Sequence, residues 1–418
     1  MAKQQFQTEV SQLLQLIIHS LYSHKEIFLR ELVSNASDAL NKLKYLTLTT
    51  DEFKELEFTP RIDISFDGEQ EKALTISDNG IGMNEQELAD HLGTIAHSGT
   101  RSFLESLTGN AAKDAELIGN FGVGFYSSFM VADRVDVVSK RAGEQQAWCW
   151  SSDGKGDYEI TPAEKEGWGT TITLYLNDEG KEYANRWQIE QIIHKYSNHI
   201  PHPIYLTYPE KEYDAEIKDY RVKGEKTEQV NAASAVWRRP KQEISEDDYA
   251  DFYRTISHDT DEPLFHIHTR AEGTQEYVTL FYVPKKAPFD LYHADFKAGV
   301  KLYVKRVFIM DDNKELLPTY LRFVRGIIDS DDLPLNVSRE ILQQNRILAS
   351  IRRSSVKKLL GEFKRISETD PERYTQFIEE YNRPLKEGLF ADYENHDDLL
   401  ELVRFKSTVV EGWTSLAA

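Results

Sequence analysis

Glu31 and Asn35 lie one helical turn apart in the stretch ELVSNASDAL, so both side chains fall on one helix face. A neutral amide oxygen suits a hard cation such as Mg²⁺. A carboxylate beside it, with no obvious charge partner in sequence, can orient or deprotonate a water. Asp38 and Lys42 extend the same stripe. The four fall within an arc of roughly 60° at the helical repeat. A solvated polar face explains such a stripe equally simply.

Three other stretches carry chemical potential. In TISDNGIGM a strand ends at Asp78 and runs into Gly80 and Gly82. A carboxylate there can accept from an exocyclic amine and a bridging water, and the glycines permit close approach of a ligand. The plain alternative is an Asp-Asn-Gly turn. In GNFGVGFYSSFM, Gly119, Gly122 and Gly124 precede what reads as a helix start, where backbone N–H groups can bind phosphate. A loop that needs glycine only for its turns fits as well. Neither the dinucleotide fingerprint nor G-x-x-x-x-G-K-[ST] occurs. In DLPLNVSREILQQN, Asn336 or Ser338 caps a helix that carries Arg339 in its first turn. A cation there opposes the helix dipole, which points either to an anionic partner or to an ion pair with Asp329, Asp331, Asp332 or Glu340.

The elements that must position these residues follow from periodicity. Leu29, Leu32, Val33, Ala36, Leu40 and Leu43 give the Glu31 helix an apolar face. RIDISFD, KALTISD, RVDVVSKR, QAWCWSS, YEITPA, TTITLYL and HPIYLTY read as strands. Residues 84–92 and 184–197 read as helices, the first capped by Asn84. Residues 92–124 are loop-rich and Gly-punctuated, as in a lid. This places a first α/β domain over residues 1–212 and a charged linker over 213–230. A second domain over 231–418 is α/β to about residue 335 and helical beyond it. Within it the sequence predicts a helix at SEDDYADFYRTIS, strands at EYVTLFYV and VKLYVKRVFIM, and a helix at PTYLRFVRGIID.

The chain has 418 residues and a net charge of −20, which argues against a nucleic-acid or anionic-membrane binder. A single cysteine, Cys149, excludes an internal disulfide and fits a reducing, cytoplasmic setting. No signal peptide is evident, and no run reaches the roughly 18 apolar residues of a membrane helix. The sequence stops in mid-pattern at LVRFKSTVVEGWTSLAA, which reads as a fragment.

The order of the motifs resembles the Bergerat-type ATPases: gyrase, heat-shock-90 chaperones, histidine kinases and MutL proteins. IFLRELVSNASDALNKLKYL, LTISDNGIGM, LGTIAHSGT, LIGNFGVGFYSSFMVAD and LPLNVSREILQQN resemble the heat-shock protein 90 chaperones over essentially the whole chain. The lack of a long acidic linker is similar to the bacterial form. The resemblance implies a Bergerat-type ATPase α/β sandwich followed by an α/β middle domain with a helical C-terminal part. It implies ATP/ADP and Mg as ligands. Asp78 would then hold the adenine amine, with Gly82 and Met83 lining the base pocket and Thr170 assisting. Asn35 would hold Mg and phosphate, and Glu31 would activate the attacking water. Gly119, Gly122, Gly124 and Phe125 would lie along the phosphates, with Asp38 among the nucleotide contacts. Arg339 would meet the γ-phosphate, with Gln343 one turn later. Unfolded client proteins are the implied partners, and a homodimer is implied for the full-length protein. No nucleic acid and no membrane are expected.

Two departures stand out. His97 replaces the Lys or Arg usual in the GTIA-x-SGT lid, and the chain ends before the family's dimerisation domain. A DNA-acting ATPase would need a basic DNA-facing surface. A histidine kinase would need a phospho-accepting His on a helix before the ATPase domain, where only a short helix precedes Glu31. A nucleotide-regulated module without turnover is the remaining alternative.

Overall fold

The computed structural model describes residues 12–416, apart from 13, 15, 17, 19, 21, 23, 68–71, 108–116, 120, 215–218, 274, 294, 312, 337–345 and 410. The chain divides into two compact units, Met1–Ser234 and Ala235–Ala418.

The first unit is built on an eight-stranded sheet in the order β5-β4-β3-β6-β2-β1-β7-β8. The strands are β1 (Ile62–Phe66), β2 (Ala73–Asp78), β3 (Ala132–Lys140), β4 (Ala147–Ser152), β5 (Tyr158–Ala163), β6 (Gly169–Leu176), β7 (Ile204–Asp214) and β8 (Asp219–Gln229). All neighbours are antiparallel except β1 and β7. Helix α1 (Ile27–Thr49) lies on β1 and β2, and α4 (Arg186–Tyr196) packs beside it. The predicted apolar face of α1 is buried throughout, as are Ile62, Ile64, Leu74 and Ile76 beneath it. The result is the expected α/β sandwich.

Two short helices belong to the same unit. Helix α2 (Glu85–Leu92) is capped by Asn84, as its sequence predicts, and Glu87 completes a capping box with it. Helix α3 (Gly99–Ser106) is capped by Ser98 and lies inside the stretch read as loop-rich. Gly119, Gly122 and Gly124 lead into a 3₁₀ helix over Gly124–Met130.

Residues 213–230 do not form a linker. They lie mostly in the β7–β8 hairpin, whose register runs from Tyr205↔Gln229 to Asp214↔Asp219. The compact units part at 234/235 instead. Most of β8 is exposed, so no apolar alternation marked it as a strand.

The second unit carries a five-stranded sheet in the order β12-β11-β13-β10-β9. These strands are β9 (Pro263–Ala271), β10 (Tyr277–Pro284), β11 (Gly299–Val304), β12 (Val307–Met310) and β13 (Arg325–Ser330). Helix α5 (Glu246–Ser257) packs through Tyr249, Phe252 and Tyr253. Helices α6 (Arg346–Thr369), α7 (Pro371–Ala391) and α8 (His396–Leu402) share one core with the sheet, in which Phe323 stacks on Tyr381 at 4.2 Å. A two-stranded ribbon of β14 (Phe405–Lys406) and β15 (Trp413–Thr414) follows.

The helix expected at PTYLRFVRGIID is a 3₁₀ turn over Thr319–Leu321 followed by β13. Ile327 and Ile328 are both fully buried, because β13 is a central strand between β11 and β10. A strand buried on both faces has no alternation to read.

Candidate functional site

The polar stripe of α1 is not a wetted surface. Glu31 and Asp38 are 3% and 2% exposed, and Asn35 and Lys42 are half-buried. Glu31 also has a charge partner that the sequence reading missed. Arg30 donates from Nε and Nη2 to Glu31 Oε1 at 3.1 and 2.9 Å. Residues adjacent on a helix do not ordinarily face each other, so spacing gave no signal for the pair. Both side chains are 4% exposed. A pair buried so deeply contributes little net stability, but it keeps both charges in place.

Glycines read this stripe from the other side. A Cβ at Gly124 would collide with the Glu31 carboxylate. One at Gly119 would stand 3.1 Å from Asp38 Oδ2 and 3.5 Å from Asn35 Oδ1. One at Gly80 would meet Ala39 at 2.5 Å, where the Ile81 N–H donates to the Ala39 carbonyl at 3.1 Å. The bare backbone of the glycine run and of the Asp78 turn therefore presses against successive turns of α1.

Asp38 makes its contacts within the domain. Its carboxylate accepts from the Ile118 and Gly119 N–H groups at 2.7 and 2.8 Å and from the Thr100 hydroxyl at 3.2 Å. Ser98 adds a hydrogen bond to the Gly119 carbonyl at 3.0 Å. Asp38 thus holds α3 and the glycine run onto α1.

Asp78 ends β2 and is 8% exposed. It pairs in register with Thr170 on β6. It accepts from the Gly80 N–H at 2.9 Å, but no ammonium or guanidinium forms an ion pair with it among the described residues. Burial pushes its carboxyl up to about 7, while the Gly80 N–H, the Lys165 ammonium and the Thr170 N–H pull it down. The turn beyond it is pinned. Asn79 accepts from the Arg61 N–H at 2.9 Å and donates to the Thr59 carbonyl at 2.8 Å. Gly169, at φ 103°, lets β6 approach the Asp78 carbonyl, where any side chain would clash.

Ser139 is the second residue that sequence reasoning missed. Its hydroxyl accepts from the Met83 N–H at 2.8 Å, donates to the Gly169 carbonyl at 3.2 Å and lies 2.9 Å from the Thr170 hydroxyl. It joins Met83 and Thr170 around the Asp78 end. A serine inside RVDVVSKR offered no signal of its own.

The remaining expectations divide. Gly82 takes φ 66° and lies against the Lys140 carbonyl, so it serves the turn. The Phe125 side chain is in the core, edge-on to Trp150 at 5.5 Å, so only its backbone is free to face a phosphate. Gly122 packs on the His97 backbone. Arg339, Gln343 and Ser338 lie outside the described residues. Of the carboxylates set against Arg339 in sequence, Asp329 and Asp331 accept from Arg238, and Asp332 accepts from the Glu276 N–H.

A deep carboxylate at one end, a Glu–Asn helix face along the side and a glycine run opposite define the class of the first unit: an ATPase domain without the common phosphate loop. Residues 22–166 match the family model for the histidine kinase-, DNA gyrase B- and Hsp90-like ATPases. Residues 210–418 match the model for the Hsp90 protein. The chain is 60% identical over 432 residues to the chaperone protein HtpG of Treponema denticola, covering 100% of this chain and 67% of that one. It is 61% identical to the HtpG proteins of Wolinella succinogenes and Helicobacter hepaticus, over 98% and 97% of this chain and 65% of each relative. The chain belongs to the Hsp90 family of chaperones and carries that family's ATPase domain. It spans about two thirds of the length of these relatives.

No described helix is long and apolar enough to cross a membrane. Among the described residues no group of three or more His, Cys, Asp or Glu could hold a metal ion.

Proposed function

We propose that this chain is the nucleotide-driven part of a cytoplasmic chaperone, which binds ATP in the first unit and hydrolyses it slowly to drive lid closure and domain rearrangement. The observation that carries this reading is Asp78, a buried carboxylate at the end of β2 with a raised pKa and no ion-pair partner among the described residues. Such an acceptor suits the adenine amine, which supplies the missing donor. Thr170 and Ser139 steady that end, and Gly82 and Met83 lie beside it.

At the other end the residues present fit a phosphate–magnesium group. Asn35 offers a neutral oxygen, whose Oδ1 lies 3.5 Å from where a Cβ would stand at Gly119. Mg²⁺ ordinarily keeps several waters and takes few protein ligands, so a single amide oxygen is an adequate donor set. When bound, the ion would neutralise phosphate charge. Glu31 orients the attacking water and accepts its proton. Arg30 donates to Oε1 of the carboxylate at 3.1 and 2.9 Å, which fixes the direction in which the group is held. Arg339 is assigned to the γ-phosphate, with Gln343 following it in sequence. Residues 92–124 act as a lid, and the hydrogen bonds of Asp38 to Thr100, Ile118 and Gly119 support a seat for it on α1.

Non-native polypeptides are the proposed clients, and the longer relatives supply the length in which a dimer contact would lie. Calorimetry and turnover assays on two variants test the reading. Asp78→Asn loses ATP binding. Glu31→Ala keeps ATP binding and loses hydrolysis. Normal turnover in Glu31→Ala would overturn the general-base role.

A further inference from the structure

His97 sits where the family resemblance leads one to look for a fixed cation, and its surroundings are those of a neutral ring. It stacks on His91 of α2 with centroids 5.6 Å apart and planes 26° apart. Its Nδ1 is buried and has no hydrogen-bond partner. The contact is tight on both sides. A Cβ at Gly99 would meet the His91 ring at 2.5–2.8 Å, and Gly122 lies against the His97 backbone. The pair therefore joins the end of α2 to the start of α3 and to the glycine run.

We infer that His91 and His97 are positioning residues whose stack seats residues 93–107 on the domain, so that the lid loosens when the His91 imidazole gains a proton. The groups that face the pair come from every neighbouring element. Lys42, with Asp38 beside it, comes from α1, Glu87 and Asp90 come from α2 itself, and Tyr158 of β5 approaches Gly93 at the end of α2. Arg141, after β3, is tied to Glu87 by an ion pair. Lys42 carries its ammonium 5.9 Å from the centre of the Phe103 ring on α3. Tyr45 meets the same ring edge-on at 5.8 Å. A proton on His91 would add a cation beside Lys42 and face the His97 ring across the stack. Asp38, the nearest compensating carboxylate on α1, is already engaged by Thr100, Ile118 and Gly119.

The sign is consistent with this. Burial, the Lys42 ammonium and the neighbouring His97 hold His91 below its ordinary 6.5, with Glu87 and Asp90 opposing. The seated lid therefore binds fewer protons than the released one. Seating is complete above about 6.5 and is lost as pH falls below that value. The inference rests on residues 92–124 acting as a lid, and its test reads the seat without requiring nucleotide.

The test is hydrogen–deuterium exchange of the whole chain at pH 7.5 and 5.5, corrected for intrinsic rates. Wild-type protection in residues 93–107 should fall about tenfold, while β2 and β6 change little. In His97→Gln and His91→Gln the pH dependence should disappear, and His97→Lys should show low protection at both pH values. Undiminished pH dependence in both glutamine variants, or none in the wild type, would overturn the inference. Protection of β2 and β6 at pH 7.5 checks that each variant is folded. If one glutamine variant fails that check, the other decides. A pH-dependent seat together with normal turnover in Glu31→Ala would leave this inference standing and remove the catalytic reading.

Discussion

Two buried aspartates, Asp78 in the first unit and Asp329 in the second, show how one side chain becomes a site and another a fastener. Both lie on strands, Asp78 at the end of β2 and Asp329 within β13. Asp329 is fully buried and saturated. Trp237 donates to it at 2.8 Å, Arg238 at 2.7 Å and the Arg306 N–H at 3.2 Å. Arg238 also grips Asp331 with two bonds of 2.7 and 2.8 Å, and these two carboxylates raise the pKa of its guanidinium against the desolvation that lowers it. Asp78 receives the Gly80 and Thr170 N–H groups and only a remote ammonium. Burial of a carboxylate is thus not a sign of function. Burial without sufficient donors is, because the deficit is what a ligand can fill.

The contrast can be broken most severely at Arg238. Arg238→Met leaves Asp329 buried without its counter-charge, and the second unit should lose about 3–5 kcal/mol. Urea unfolding followed through the buried Trp237 measures it, and an unchanged midpoint would mean that Asp329 is no more satisfied than Asp78.

A somewhat smaller effect is expected at Asp78, with the sign set by its raised pKa. The folded state holds the proton to about 7 and the unfolded state releases it near 3.8, so this group alone lowers stability as pH rises between them. The change from pH 4 to pH 7 is about 3 kcal/mol. The difference between wild type and Asp78→Asn in thermal unfolding of the first unit isolates it, and parallel pH profiles would refute it. The smallest effect belongs to Ser139→Ala. It removes the acceptor of the Met83 N–H and should cost about 1 kcal/mol, with a modest loss of adenosine affinity by titration.

Much of this was legible in the sequence, for reasons that differ by element. The α1 face and the strands around Asp78 follow from apolar periodicity, and Asn84 announced α2 as its cap. The site emerged because Glu31, Asn35, Asp78 and the glycines keep a recognisable order. What stayed hidden depended on tertiary contact. Arg30 could not be paired with Glu31 by helical spacing, and Ser139 became a hub only once β3 lay beside β6. The hydrogen bonds that Asp38 accepts from the Ile118 and Gly119 backbone likewise arise only once the chain has folded. The 318–329 stretch misled because Pro318 resembles a helix start, whereas Gly326 at φ 138° marks close strand approach to β10.

The charged hairpin at the end of the first sheet has a consequence for the company this molecule keeps. An open sheet presents unpaired backbone groups at its margin, and those groups can recruit any extended chain. On β8 that margin carries Arg221, Lys223, Glu225, Lys226 and Glu228, all but the last exposed, in a strand without a continuous apolar face. A strand so dense in both signs of charge is a poor template for a sticky polypeptide. For a member of a chaperone family, surrounded by chains that have not yet folded, such a margin guards against becoming the first layer of someone else's aggregate.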